Sequence, residues 1–92
     1  MIVKTRFHGV LADWITSETI HFNMEPRSTY GDLLKKIGDQ FSNNMPDQLW
    51  DEKLAQFKSV VLAVGKDRNF ESIDTQLTPN EEIAFYLMLA GG

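Results

Sequence analysis

The spacing of apolar residues between Thr29 and Phe41 constrains the fold of this chain more than any other feature. Apolar side chains recur there at helical spacing, with charged residues on the opposite face, so the segment predicts one amphipathic helix. Its apolar positions are Tyr30, Leu33, Leu34, Ile37 and Phe41. Thr29 is the predicted N-cap, since its hydroxyl can accept a first-turn amide and Asp32 follows three residues later; Ser28 is the alternative cap. Such a helix must bury its apolar stripe against another layer.

Two glycines, Gly31 and Gly38, lie inside this helical pattern. Each costs a helix about 1 kcal/mol relative to alanine. We therefore expect the helix to depend on its tertiary contacts for stability.

Strand patterns precede and follow the helix. Residues 2–7 and 18–24 both alternate apolar and polar side chains, with turn residues between them, so we expect an antiparallel hairpin joined by a loop. Residues 59–64 form a compact β-branched run, which predicts a central strand buried on both faces, and a last strand begins at Glu82. With the first and last strands parallel in the middle, the fold class is α+β, a mixed sheet of 4–5 strands with one main helix packed on one face.

Weaker patterns connect these elements. Within the segment 44–58, Pro46 is expected to open a short second helix that reaches Phe57. Residues 70–73 predict a short edge strand. The sequence Thr78-Pro79-Asn80-Glu81 predicts a tight turn, because proline sets φ near the value that the second turn position needs and asparagine follows it.

Composition excludes several classes of protein. The chain has 92 residues, 42% of them hydrophobic, which suffices for one core, so we expect a single domain over residues 1–90 with a flexible tail at 91–92. The absence of cysteine excludes disulfides and thiolate chemistry. The net charge of −4 disfavours nucleic acid and favours a partner with a basic face. The N-terminal sequence lacks a signal-peptide pattern, and no apolar run approaches the roughly 18 residues of a membrane span, so the predicted location is the cytoplasm.

Residue patterns of enzymes are weak in this chain. His8 and His21 lack the spacing that places two imidazoles on one helical face for a metal, so no metal site is predicted. The adjacent carboxylates Asp51-Glu52 and Glu81-Glu82 are interpreted as solvated charges, because neighbours along a strand point to opposite faces. No glycine-rich phosphate loop precedes the helix. We therefore expect a protein that is not an enzyme and has no cofactor of its own.

The C-terminal residues carry the chemistry that the rest of the sequence lacks. The apolar run from Ile83 to Ala90 reads as a buried strand, and Gly91-Gly92 follow it directly. This order leads the chain from its core to a free carboxylate on a glycine. Glycine has no Cβ, so the backbone at Gly91 and Gly92 can enter a narrow active site in whatever conformation that site requires.

The C-terminal sequence contains the segment Leu77-Thr78-Pro79-Asn80-Glu81-Glu82-Ile83-Ala84-Phe85-Tyr86, followed by terminal Gly91-Gly92. This pattern resembles the sulfur-carrier family of β-grasp, ubiquitin-like proteins. Members of that family include the small subunit of molybdopterin synthase and the thiamin-pathway sulfur carrier. The element order also matches the β-grasp along nearly the whole chain. The length is similar to that of the molybdopterin-type branch and to that of carriers for cysteine synthesis.

The resemblance implies a mechanism centred on Gly92. An adenylating, E1-like partner would use ATP to convert the Gly92 carboxylate into an acyl-adenylate, and a sulfur donor would displace AMP to leave a thiocarboxylate. A synthase subunit would then accept the sulfur, most directly in molybdenum or tungsten cofactor biosynthesis. The tail and partner-binding residues would be Leu87, Met88, Leu89, Ala90 and Gly91, with Leu87 the one of these best explained as ordinary core.

Three alternatives remain open at the level of the sequence. A ubiquitin-like modifier would join the same activated glycine to a lysine, a carrier could serve thiamin or cysteine synthesis, and a β-grasp interaction module would use no tail chemistry. The chain also departs from the molybdopterin-type pattern, because Leu87-Met88 stand where prolines are usual and Gly65-Lys66 replace an asparagine. These departures bear on the partner and pathway more than on the fold.

Overall fold

The computed structural model of the chain describes residues 1–15 and 17–88. Its regular elements, in chain order, are β1 (Ile2–Phe7), α1 (Val10–Ile15), β2 (Thr19–Asn23), α2 (Tyr30–Phe41), a 3-10 turn (Ser42–Asn44), β3 (Trp50–Asp51), β4 (Gln56–Phe57), β5 (Val61–Val64) and β6 (Glu82–Leu87). The main sheet has the strand order β2-β1-β6-β5, with β1 and β6 parallel and both outer pairs antiparallel. The predicted α+β architecture is confirmed, including the first and last strands in the middle of the sheet.

The alternation of β1 separates the two faces of the sheet. Val3, Thr5 and Phe7 are buried under α2, whereas the residues between them face the open side. The Thr5 hydroxyl donates a hydrogen bond to the Ile20 carbonyl (2.8 Å), so this buried polar group is satisfied by the neighbouring strand. The predicted inward face of the first strand is confirmed.

Helix α2 covers the inner face of the sheet. Thr29 is its N-cap, and the Thr29 hydroxyl and the Asp32 carboxylate each accept the other residue's backbone N–H at 3.2 and 2.9 Å. The four apolar residues of its first two turns are buried: Tyr30, Leu33, Leu34 and Ile37. The predicted helix and its capping box are confirmed, and Thr29 rather than Ser28 is the cap.

Gly38 of α2 is a packing position. A Cβ built on Gly38 would lie 2.7 Å from Cζ2 of Trp50, which is buried in β3. Strands β3 and β4 form a small antiparallel hairpin in which Trp50 pairs with Phe57, their rings edge to face at 5.0 Å. The predicted second helix from Pro46 to Phe57 is therefore wrong. Its apolar spacing belongs to a hairpin that packs on the helix where glycine leaves room.

Substitution of Gly38 by alanine is expected to lower the free energy of unfolding by about 1–3 kcal/mol, because the added Cβ overpacks a buried indole. This loss should appear although alanine is the better helix former by about 1 kcal/mol. The measurement is urea unfolding followed by circular dichroism. Asp39→Ala is the control, since Asp39 is an exposed position of the same helix. A stabilised Gly38→Ala variant would contradict the close packing of Trp50.

Two strand predictions need correction. The run predicted as a central strand is β5, an edge strand in which Ala63 is buried while Val61, Leu62 and Val64 are half-buried. Residues 70–73 do not form a strand; the chain there leaves the edge of β5 after the Phe70 amide donates to the Ala63 carbonyl (2.9 Å). Sheet order depends on contacts between distant segments, which the composition of one segment does not specify.

The segment between β1 and β2 also differs from the predicted loop. It contains the short helix α1, whose Leu11 and Ile15 are both fully buried. Gly9 precedes this helix at a φ of 61°, a left-handed conformation that suits glycine. The spacing of four residues between Leu11 and Ile15 is typical of a helix. The neighbouring turn residues, His8-Gly9 and Asp13, favoured a loop instead in the sequence-based prediction.

The predicted turn before the last strand is confirmed. The Glu81 amide donates to the Thr78 carbonyl (3.2 Å), and Asn80 has a φ of 64°, which asparagine tolerates better than most residues. The interpretation of Glu81 as a solvated charge is wrong, because its side chain is buried. Its Oε1 accepts hydrogen bonds from Arg68 (2.8 Å) and from the Thr78 amide and hydroxyl (both 3.0 Å).

Candidate functional site

The candidate site is the end of β6, where the chain leaves the sheet towards its C-terminal residues. Leu87 pairs with Val61 and is half-buried against the core. The Met88 amide donates to the Val60 carbonyl (2.7 Å), while the Met88 side chain is 46% exposed. The structure thus packs Leu87 against the core and leaves the Met88 side chain exposed. The other predicted site residues, Leu89, Ala90, Gly91 and Gly92, lie outside the described residues.

Backbone hydrogen bonds on both sides hold β6 in place. On the β1 side, Lys4 N–H donates to the Glu81 carbonyl (2.9 Å) and His8 N–H donates to the Phe85 carbonyl (3.1 Å). On the β5 side, the bond from Met88 to Val60 continues the antiparallel ladder. The point at which the tail begins is therefore fixed by a central strand with a paired neighbour on each side.

An aromatic pair lies beside this exit on the open face of the sheet. The His8 and Tyr86 rings stack with centroids 4.4 Å apart and planes within 4° of parallel. Both residues are exposed, so the pair forms a flat surface next to the tail. Sequence reasoning missed it because the two residues meet only through the parallel register of β1 and β6.

The open face of the sheet is positively charged around Glu82, the first residue of β6, at the opposite end of that strand from the tail. Lys66 lies 3.0 Å and Lys4 3.9 Å from the Glu82 carboxylate. The hydrogen bond and the charge of Lys66, with smaller effects of Lys4 and Arg6, lower the pKa of Glu82 below its ordinary value. Three cations thus surround one carboxylate, although the chain carries a net charge of −4. This face therefore suits a negatively charged partner, although the net charge of the whole chain favours a partner with a basic face.

Two searches of the described residues bear on other kinds of function. Over residues 1–15 and 17–88, no group of three or more His, Cys, Asp or Glu residues is arranged to hold a metal ion. Within the same part of the chain, no helix has the length and apolar character to cross a membrane.

Solved structures similar to this one share its fold over nearly the whole chain. No protein-family model and no curated protein matches the sequence. The crystal structure of SAMP1 from Haloferax volcanii covers 100% of both chains, with a TM-score of 0.81 and 13% identity. A putative molybdopterin converting factor, subunit 1, from Pyrococcus furiosus covers 97% of this chain and 99% of its own, with a TM-score of 0.74 and 13% identity.

Urm1 from Trypanosoma brucei is a third structural relative, with a TM-score of 0.74 and 14% identity over 99% of this chain and 95% of its own. Small archaeal modifier proteins, Urm1 and a molybdopterin converting factor subunit thus share the strand order and helix placement seen here at low sequence identity. The sheet with β1 and β6 at its centre, the helix α2 that covers it and these structural similarities all indicate the same fold. The chain has the β-grasp, ubiquitin-like fold that the resemblance of its C-terminal sequence predicted.

Proposed function

We propose that this chain is a sulfur carrier whose Gly92 carboxylate is activated by a partner enzyme and converted to a thiocarboxylate. The observation that carries the proposal is the course of β6. This strand runs through the centre of the sheet and ends at Leu87, with an exposed Met88 after it and only four residues from there to Gly92. The likeness to structures named as a molybdopterin converting factor subunit and as small modifier proteins supports it.

The chemistry divides between the chain and its partners. The partner's ATP would convert the Gly92 carboxylate to an acyl-adenylate with release of pyrophosphate, which gives a resistant carboxylate a good leaving group. A sulfide nucleophile would then attack the acyl carbon and displace AMP, leaving a thiocarboxylate. A synthase subunit would accept that sulfur, and we place this acceptor in molybdopterin biosynthesis. From Leu89 to Gly92 the extended reach is about 10 Å, so the tail can enter an active site while the sheet stays outside.

The folded body contributes the docking surface. Met88 is exposed directly before the tail, and the cations around Glu82 lie on the open face of the same sheet. Burial of one such apolar side chain is worth roughly 1.5–3 kcal/mol. We therefore propose that a partner with an acidic and partly apolar surface binds the open face and receives the tail.

A ubiquitin-like modifier is the second candidate. It is favoured by the similarity to structures named as small archaeal modifier proteins, with TM-scores of 0.81 and 0.74. In this reading the activated Gly92 would form an isopeptide bond with a lysine of a target protein. The two functions share the adenylation step and differ in the nucleophile that follows.

Co-expression with each adenylating enzyme of the host, followed by intact mass measurement, tests both functions. We expect the mass gain that corresponds to one oxygen replaced by sulfur on this chain. Lysine conjugates of the chain would instead support the modifier. An unchanged mass with every adenylating enzyme would contradict both.

A pair of variants tests the role of the folded body. Met88→Gln is expected to slow sulfur loading about tenfold, the effect of losing roughly 1.4 kcal/mol of apolar contact. Leu54→Gln is the matched control, because Leu54 is also exposed but lies in the turn between β3 and β4. Equal rates for the two variants would contradict a partner contact at Met88.

A further inference from the structure

Among the described residues, only β1 pairs with β2, so β2 is an edge of the main sheet. Three of its residues, which alternate along the strand, are all exposed: Thr19, His21 and Asn23. The other edge strand, β5, is different, because the Phe70 amide bonds the Ala63 carbonyl and residues 68–70 cover part of that edge. Strand β2 is therefore the edge of the sheet that a further strand can reach.

The backbone bonds at the two ends of β2 show which of its groups point away from the sheet. The Glu18 carbonyl accepts from Phe7 N–H (2.8 Å), and Met24 N–H donates to the Met1 carbonyl (2.7 Å), so the even-numbered residues bond β1. Residues that bond a given neighbour alternate along an antiparallel strand. The N–H and C=O groups that point outward therefore belong to Thr19, His21 and Asn23.

Two of these outward carbonyls already have donors. The Ser17 hydroxyl donates to the Thr19 carbonyl (2.9 Å), and Lys36 Nζ donates to the Asn23 carbonyl (2.6 Å). The His21 carbonyl and the three outward N–H groups have no partner within the part of the chain that the structure describes. The edge thus offers three donors and one acceptor, centred on His21.

This arrangement matches one antiparallel neighbour in a single register. The residue placed opposite His21 would exchange both backbone hydrogen bonds with it. The N–H groups of Thr19 and Asn23 would each donate to the carbonyl of the residue opposite. The carbonyls of Thr19 and Asn23 keep their present donors, so the pairing displaces neither Ser17 nor Lys36.

Lys36 determines the charge that this edge prefers. It reaches from α2 to the edge of β2, it is exposed, and it takes part in none of the ion pairs between described residues. Side chains alternate along an added strand, so the residue opposite Phe22 would point to the α2 side, next to Lys36. A carboxylate at that position would be attracted. Glu18 and Glu25, exposed beyond the two ends of β2, would repel a carboxylate placed at either end.

We propose that the edge of β2 binds an extended segment of a partner protein, which pairs antiparallel with His21 and carries one carboxylate for Lys36. Two residues after the carboxylate, an apolar side chain of the segment packs on Ile20, which is half-buried against the core. Addition of a strand to an exposed sheet edge is a common mode of peptide recognition. The inference goes beyond the tail chemistry and uses none of the residues assigned to the partner that receives the tail.

The test uses the full chain labelled with 15N and the capped peptide acetyl-Thr-Glu-Thr-Val-Thr-amide as the probe, whose middle residue would lie opposite His21. We expect saturable binding in which the amide protons of Thr19, His21 and Asn23 move downfield as they gain hydrogen bonds. The amide protons of Ile20 and Phe22 already bond β1 and should stay in place. Shifts without this alternation, or no shifts along β2, would overturn the proposal.

Two altered peptides separate the backbone pairing from the charge contact. N-methylthreonine in the middle position removes the N–H that would donate to the His21 carbonyl and places a methyl group against the edge, so binding should weaken at least tenfold. Glutamine in place of the glutamate removes the charge alone and should weaken binding about threefold, within the range of an exposed ion pair. Equal binding of the N-methyl peptide would overturn the strand pairing, and equal binding of the glutamine peptide would overturn the contact with Lys36.

A pair of neighbouring lysines locates the site on the chain. Lys36→Gln keeps a donor for the Asn23 carbonyl and removes the charge, so it is expected to weaken binding of the glutamate peptide about threefold. Lys35→Gln is the matched control, because Lys35 is also exposed on α2 but has no hydrogen bond to β2 among the described residues. The same affinity for both variants would place the peptide elsewhere and overturn the inference. Changes in the same amide signals on dilution of the free chain would show a second copy at this edge and would also overturn it.

Discussion

Replacement of Phe85 by alanine is expected to lower the free energy of unfolding by about 3–5 kcal/mol, the usual range for a buried aromatic residue. Phe85 is fully buried in the middle of β6. Its ring lies 5.0 Å from that of Phe7 in β1, 5.2 Å from Phe57 in β4 and 6.5 Å from Tyr30 in α2. One side chain therefore joins the sheet, the helix and the small hairpin. Against a total stability of roughly 5–15 kcal/mol, the variant should be close to unfolding. Urea unfolding measures the loss.

Tyr86→Ala is the matched control for this prediction. Tyr86 is the next residue of the same strand, but it points to the open face, where it is 41% exposed and stacks on His8. Its loss is expected to cost about 1 kcal/mol, because stacking without burial contributes little. Similar losses for the two variants would contradict the placement of the core on the α2 side.

Local signals were sufficient for the elements whose structure depends on neighbouring residues. The capping box of Thr29 and Asp32 needs only a three-residue spacing, and the turn before β6 needs only Pro79 and Asn80 in order. The alternation of residues 2–7 specified which face of β1 is buried, because one face of that strand packs on the helix. These predictions were correct because the same residues that carry the signal make the contacts.

Prediction failed where distant segments decide the structure. The apolar run of β5 has the composition of a central strand, yet the strand lies at an edge, where residues 68–70 cover part of it. Trp50 and Phe57 have helical spacing but form a hairpin, because Gly38 of α2 leaves space for the indole. From the sequence, Gly38 indicated only a weaker helix. The structure shows that a side chain at position 38 would collide with Trp50 of β3.

The candidate site also combines features that the sequence predicts with features that only the structure shows. The sequence predicts that the C-terminal residues face a partner, and the structure shows an exposed Met88 at the point where β6 ends. The stacked pair of His8 and Tyr86 and the cations around Glu82 arise from register and packing. No spacing in the sequence brings those residues together. The tail chemistry therefore stays a prediction from the sequence, whereas the surfaces beside β6 could not be predicted from it.

Deletion of Gly92 is expected to abolish sulfur loading in the co-expression assay. The variant still ends in a glycine carboxylate, now on Gly91, so the reactive group is chemically the same. It is displaced by about 3.4 Å, the extended length of one residue. Misplacement of a reacting group by about 1 Å can cost a hundredfold in rate, so we expect at least that loss. The measurement is the fraction of chain that carries the mass gain of sulfur for oxygen.

A chain extended by one alanine after Gly92 gives the opposite displacement and should fail for the same reason. β6 ends at Leu87, before the altered residues, so both variants should unfold at the midpoint of the unaltered chain. If the shortened chain is loaded as fast as the original, position of the carboxylate does not control activation, and Gly92 is not the specific acceptor. If only the extended chain fails, the partner's site tolerates a short tail but is closed behind the last glycine. Loss in both variants, with the fold intact, is the result that a fixed distance between the sheet and the activated carboxylate requires.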